Sequence, residues 1–377
     1  MNLDPENTNA LLWMLFQAQE GLWRVLAALG LTDSVHGQPA CPFSHRLAAE
    51  QLLFDASQVR RLVWLAAAVL LAALSGLLAV VWRRARWGLL GGVLLLALAP
   101  QPDWRLLLSP TPPTAFHRPA QTLEASAIVR GQALYQAQCQ RCHGADGNGE
   151  GPDAARLSMW PPTLNGSLLW KRLDGELFWH VRHGMTDRQG RTTMPGVTDT
   201  WRDDQVWDVL AFVRAQAAGQ TLRATGKWVF PVHVPDTLVM CRQAPRRLAS
   251  LQGQRLRLVP AGGPFPAADP RLVTVAVGSA HPSADCHTTD TALAQALTTV
   301  LGVAPEALPG HQLLADRHGW LRVRGRPGAV AWSEDDLVCR PGEAQAAVAA
   351  PAADGLEALI RRMDREPVRE TRGGFPH

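Results

Sequence analysis

Residues 125–144 read ASAIVRGQALYQAQCQRCHG. Apolar positions Ile128, Ala133, Leu134 and Ala137 recur with a helical rhythm, so the segment predicts a helix over 125–138. Gly131 and Tyr135, four apart, share one face, and a glycine there lets a second helix approach closely. Two thiols and an imidazole follow within five residues, at Cys139, Cys142 and His143. A zinc site would need a second pair of ligands at close spacing, and none follows. A dithiol redox pair would need a strand before it, and the preceding residues are helical.

Cys-x-x-Cys-His is the attachment signal of c-type haem. Two thiols at this spacing add to the two vinyl groups of one haem, and the following imidazole is held beneath the iron. A glycine-rich loop, 144–152, comes next, without phosphate-binding spacing. Met194-Pro195-Gly196 lies 51 residues beyond His143 and offers a thioether in a stiff loop. Met159, Met185, His180 and His183 are the competing sixth ligands. A last helix is expected over 203–216, with Val206, Trp207, Leu210, Ala211 and Val213 on its apolar side.

With these residues in view, 126–218 resembles the class I cytochrome c domain, and most closely the small mono-haem type found as a subunit of haem–copper oxidases. Gly131-x-x-x-Tyr135, Cys139 to Gly144, Pro161-Pro162-Thr163-Leu164, His183-Gly184, Met194-Pro195-Gly196 and the closing helix carry the resemblance. It implies an all-α domain holding one covalent haem c, with His143 and Met194 as axial ligands. It implies that the Pro162 carbonyl accepts from the His143 imidazole, and that Phe212 crosses near Gly131 and Tyr135. It also places the attachment outside a bacterial cytoplasmic membrane.

The rest of the 377 residues predicts more than one domain. A composition of 47% hydrophobic and 19% charged residues is globular, and a net charge of +4 argues against a dedicated nucleic-acid binder. Six cysteines exclude a disulfide scaffold. Residues 62–82 run without a charge, long enough to cross a bilayer. The cluster Arg83, Arg84 and Arg86 follows, then a second apolar run at 87–99. That run either extends to 108, with Asp103, Trp104 and Arg105 at the interface, or is a short buried helix. The positive-inside rule puts the basic turn in the cytoplasm, against the contrary vote of Arg60 and Arg61. Residues 9–31 are apolar but broken by Gln17, Gln19, Glu20 and Arg24. This helix either lies in the interface or spans with its polar stripe on a partner. The acidic start, with Asp4 and Glu6, is not that of a signal peptide. His36, Cys41 and His45 form a possible copper group or a plain loop with a stray thiol. Six prolines between 100 and 119 read as a semi-rigid linker.

Beyond a second linker at 217–227, strands are expected at 256–259, 272–277, 313–315 and 321–323, with a helix at 291–301. Leu248, Leu251, Gly253-Gln254 and the 313–321 segment give 235–340 a resemblance to thioredoxin-like domains. It lacks their chemistry: 260–266 stands where a Cys-x-x-Cys would be, and Pro309 is not directly before Leu313. In an oxidising compartment the expected pairing is a disulfide between Cys241 and Cys286, leaving Cys339 free. Copper held by Cys241, Cys286 and His287 is the second reading. The order of parts, with 114–119 and 174–179, resembles the C-terminal half of copper-resistance D-type membrane proteins fused to cytochrome c, without their large bundle of spans.

The expected organisation is a membrane-associated segment (1–61), a transmembrane hairpin (62–108), a Pro-rich linker (109–122), a cytochrome c domain (123–218), an α/β thioredoxin-like domain (228–345) and a helical tail (346–377). The expected function is a membrane-anchored periplasmic electron carrier working with a redox partner protein and membrane lipid. The alternative is a copper-handling protein whose haem serves a copper redox step. No nucleophile constellation or acid/base pair points to a stand-alone enzyme.

Overall fold

The computed structural model describes residues 5–47, 56–81, 86–104, 108–120, 123–166, 168–197, 201–242, 244–329, 331–339 and 355–368. Arg83 and Arg84 of the expected basic turn, Arg105, and the tail from 369 lie outside the described residues. The described residues form two compact units: one of residues up to His117 with Lys171–Glu176, and a second made mainly of Arg118–Trp170 and the residues from Leu177 on.

In the first unit, helix α1 (Pro5–Ala28) is followed by a small hairpin, β1 (Ser34–Val35) and β2 (Gln38–Pro39). Strand β3 (His45–Leu47) precedes helices α2 (Ala56–Val81) and α3 (Arg86–Leu98). Strand β4 (Leu108–Pro110) then returns to pair antiparallel with β3, Arg46 opposite Ser109. The proline-rich stretch therefore does not run free over its first half. Thr114, Ala115, Phe116 and His117 are buried, and the Phe116 ring lies 5.2 Å from Trp23 and 6.2 Å from Phe16. Prolines stiffen the chain, but β-pairing and one buried aromatic decide where it goes.

The same unit buries an ion pair completely. Arg46 donates to both carboxylate oxygens of Glu176, at 2.5 and 3.2 Å, and the Leu173 amide donates to the same carboxylate. Two charges taken this far from water persist only with such full hydrogen bonding. Among the described residues, one helix has the length and composition to cross a membrane, Arg60–Ala79 within α2, of which 17% is buried. The described part of α3 is 13 residues, or about 20 Å.

The second unit opens with α4 (Ala125–Leu134), a wider π turn (Tyr135–Cys139) and α5 (Gln140–His143). Then come α6 (Leu168–Lys171) and α7 (Asp174–His183), apart from residues 171–176 that belong to the first unit, the ribbon β5 (Met185–Thr186) and β6 (Thr192–Met194), and α8 (Asp203–Thr225). Here the sequence reading needs correcting: 217–227 is not a linker. Ala215, Ala217, Ala218, Gly219 and Leu222 carry α8 onward into the core. It stops at Gly226, left-handed with φ +73°. Its partner is helix α9 (Thr291–Leu301). Any Cβ on Gly219 would sit 2.8 Å from the Gly302 nitrogen and closer still to the Thr299 carbonyl. Small residues that read as linker composition are there because two backbones touch.

The C-terminal part is one seven-stranded sheet, ordered β13-β12-β9-β10-β11-β7-β8. Its strands are β7 (Leu238–Cys241), β8 (Ala244–Arg247), β9 (Leu256–Pro260), β10 (Val273–Val277), β11 (Cys286–Thr288), β12 (Gln312–Ala315) and β13 (Leu321–Gly325). β9, β10 and β11 run parallel and the remaining pairs antiparallel. Alternation along β12 puts Leu313 and Ala315 in the cluster with α9, and Leu314 in the one with helix α10 (Gly355–Arg365). Asp290 caps α9 by accepting from the Ala292 amide.

Candidate cofactor site

Helix α4 is held against α8 at one crossing. The Cβ of any residue at 131 would lie 2.5 Å from the Asp208 carbonyl carbon and 2.9 Å from the Phe212 Cβ. Arg130 bridges the crossing with two hydrogen bonds to Asp208, at 2.8 and 2.9 Å. One turn on, the Tyr135 ring meets Phe212 at 5.2 Å, and its hydroxyl donates to the Gly144 carbonyl at 2.7 Å. Burial pushes that phenol well above its ordinary pKa. The helix widens over Tyr135–Cys139, the local irregularity that often marks functional sites. Cys139, Cys142 and His143 then occupy i, i+3 and i+4, and so share one helical face.

The following loop satisfies the carbonyls at the end of α5. Gly149 donates to His143, Gly151 to Cys142 and Asp153 to Arg141, at 2.9, 3.1 and 2.8 Å. Leu164 donates to Gly147, and Gln216 of α8 donates to Ala145 at 2.6 Å. The loop is thereby closed over the cysteines and fixed to the last helix.

Electrostatics disfavour ionisation here. Burial lowers the His143 pKa, and the Pro162 carbonyl acts as a backbone acceptor that partly raises it. Nδ1 nonetheless lacks a hydrogen bond of full geometry. Burial pushes the Cys139 thiol up to about 12, so it is neutral and unsuited to a free thiolate centre. Conversion to a thioether removes that ionisation altogether.

Met194 sits on β6, half-buried, directly opposite Met185 on β5. Side chains directly opposite in a ladder share a face, so both thioethers lie on one side of the ribbon. Met185 is the more exposed of the two, and Met159 is more than half exposed. Asp187 fastens the ribbon's tip by accepting from the Gln189 and Arg191 amides and the Arg191 guanidinium. His183 stacks on Trp179 at 3.7 Å, and His180 lies half-buried on the same helix, α7. Pro162 is exposed.

Two buried polar atoms of this domain, Asn165 Oδ1 and the Trp170 indole nitrogen, have no hydrogen-bond partner, and His143 Nδ1 has only the imperfect contact with Pro162. Buried polar groups are normally satisfied, so these leave capacity for a further group. Two thiols and an imidazole on one helical face, with an unsatisfied ring nitrogen on that imidazole, fit a covalently bound haem. Asn165 and Trp170 carried no sequence signal.

The other candidates are not gathered. Among the described residues no group of three or more His, Cys, Asp or Glu could hold a metal ion. Cys41 donates to the Phe43 carbonyl and the His45 ring meets the Ser44 hydroxyl, so His36, Cys41 and His45 make no such group. Cys241 and Cys286 are directly opposed on β7 and β11 and are joined as a disulfide, which leaves no thiolate for copper beside His287. Cys339 is a buried free thiol, raised to about 11 by burial.

Residues 126–213 match the family described as cytochrome C oxidase, cbb3-type, subunit III. A thiosulfate dehydrogenase from Allochromatium vinosum is 39% identical over 103 residues, covering 25% of this chain. The chain spans about a third of that relative, 34% of its length. A chain of the Kuenenia stuttgartiensis reducing HAO-like protein complex is 20% identical, over 33% of this chain and 59% of that one. Its TM-score of 0.23 carries no weight for the fold. Residues 126–213 are thus a cytochrome c domain of the cbb3-type subunit III kind, which implies haem c and haem-based electron transfer.

Proposed function

We propose that this chain is a membrane-anchored electron carrier with one haem c, working on the periplasmic side of a bacterial inner membrane. The observation that carries the reading is the gathering of Cys139, Cys142 and His143 on one helical face within the cytochrome c domain. When bound, the haem supplies a one-electron iron couple. Cys139 and Cys142 would hold it covalently, and His143, turned by the Pro162 carbonyl, would bind the iron. Met194, presented by the fastened ribbon, would be the second protein ligand. With both iron ligands supplied by the chain, its residues would favour electron passage over substrate binding, and the thioether would favour the reduced state. Tyr135 braces the attachment turn through Gly144.

The span-length segment of α2 supports anchoring. The Cys241–Cys286 disulfide supports an oxidising compartment. The C-terminal sheet, with β12 and β13 antiparallel beside three parallel strands and no Cys-x-x-Cys after β9, supports a thioredoxin-like scaffold without thiol chemistry. The test is carbon monoxide binding to the reduced protein, followed optically. No binding at neutral pH, with a one-electron titration curve, is expected. Rapid stoichiometric binding would defeat the reading.

The likeness to a thiosulfate dehydrogenase favours one further reading, that sulfur-compound oxidation supplies the electrons. Reduction of the ferric protein by thiosulfate alone would support it, and no reduction would remove it.

A further inference from the structure

Helix α1 wears its faces the wrong way round for water. Toward the protein it turns Phe16 and Glu20, both buried, with Gln19 donating to the His45 carbonyl and the Trp23 indole donating to Ala40. Glu20 accepts from Arg24 at 2.8 Å. Outward it turns Met14, Leu22 and Val25, each more than half exposed, with Ala18 between them, Leu29 one residue past its end, and the exposed Arg24 beside the stripe. Positions 14, 18, 22, 25 and 29 fall on one helical stripe, and every one is apolar. A helix at an aqueous surface shows the reverse pattern, apolar inward and polar outward.

The inverted stripe does not stand alone. Phe16 and Trp23 share a cluster with Leu62 and Val63 at the start of the span-length helix α2. That helix exposes Trp64, Val69, Leu70, Leu71, Leu74, Leu77 and Leu78 in the same manner. At 24 residues, α1 is about 36 Å long, comparable to a hydrocarbon core. In lipid, polar side chains face protein and apolar ones face acyl chains.

We propose that α1 is a second lipid-facing helix. Its Met14–Leu29 stripe lies against acyl chains, its Gln19 and Trp23 are satisfied by the chain's own 40–45 loop, and its Glu20 by Arg24. The proposal rests on membrane anchoring through α2, and the test separates the two.

The full-length holoprotein is reconstituted in phosphatidylcholine–phosphatidylglycerol bilayers. Single spin labels are placed through Leu22→Cys, Val25→Cys and Leu29→Cys, with Leu74→Cys on α2 and Arg156→Cys as a water reference. Label taken up by the unaltered chain is subtracted, and each variant is first checked for an unchanged haem spectrum. Oxygen and nickel-chelate accessibilities are then read by electron paramagnetic resonance. The expected result is high oxygen and low nickel access at 22, 25 and 29, matching position 74 and opposite to position 156. Nickel-accessible labels at 22, 25 and 29 beside a lipid-exposed 74 would overturn the proposal and leave the anchor standing. Low access to both reagents would mean a protein partner on the stripe, and would also overturn it. A nickel-accessible label at 74 would overturn the anchor itself. Ala18→Cys reads the same stripe if a larger replacement disturbs folding.

Discussion

Gly131→Ala tests the helix crossing on which the cofactor site is built. The added methyl would stand 2.9 Å from the Phe212 Cβ and 2.5 Å from the Asp208 carbonyl carbon. Ordinary carbon contacts lie near about 3.5–4.0 Å, so α4 and α8 must separate by about 1 Å. Neither obstacle is the tip of a flexible side chain, so no rotamer change relieves the clash. Overpacking of this kind costs about 1–3 kcal/mol, and a rigid backbone contact belongs at the upper end. Alanine's better helix propensity returns about 1 kcal/mol, leaving about 2 kcal/mol of net loss. For a unit of this size that is about 4–8 °C in Tm. The separation also loosens the Tyr135–Phe212 contact and the Tyr135 bond to Gly144. The assay is thermal unfolding of the holoprotein followed at the haem absorbance. Gly166→Ala is the control, because its methyl meets only the Thr163 Cγ2, at 3.5 Å. A Gly131→Ala protein melting within about 1 °C of the parent would refute the crossing as described.

Met194→Leu should lower the midpoint potential and abolish thioether ligation, while Met185→Leu leaves both nearly unchanged; potentiometry with optical detection decides, and the opposite assignment would move the ligand to β5. Arg46→Met should cost about 3–5 kcal/mol by stranding Glu176, and the double variant Arg46→Met with Glu176→Leu should recover most of it in denaturant melts. Cys241→Ser with Cys286→Ser opens a 45-residue loop and should cost up to about 4 kcal/mol, a loss that reductant reproduces in the parent. Burial, ahead of its Leu308 carbonyl contact, holds the His311 pKa below 6.5, so the unfolded chain takes up a proton that the folded one refuses. Stability should therefore fall as pH drops below about 6.5, and His311→Gln should flatten that slope.

The attachment turn was legible because covalent chemistry demands fixed spacing, and Cys139, Cys142 and His143 have it. Helix α9 was legible to the residue, since Asp290 caps it and Gly302 ends it. The continuation of α8 was not, because Ala217, Ala218 and Gly219 read as a linker until the helix they touch is known. β8 and β11 are three or four residues long, and β8 contains Pro245, so neither shows a strand's alternation. The buried course of 114–117 depends on Phe116 meeting Phe16 and Trp23, a hundred residues away in sequence. The unpartnered Asn165 and Trp170 atoms are properties of burial, and composition does not record burial.

The most direct test is covalent haem per chain. Iron and haem are quantified on the full-length protein from its own membranes, after denaturation and separation of the chain. The account predicts one haem that stays with the denatured chain and is lost from the Cys139→Ala, Cys142→Ala variant. Haem that dissociates on denaturation, or a chain carrying none, would contradict it.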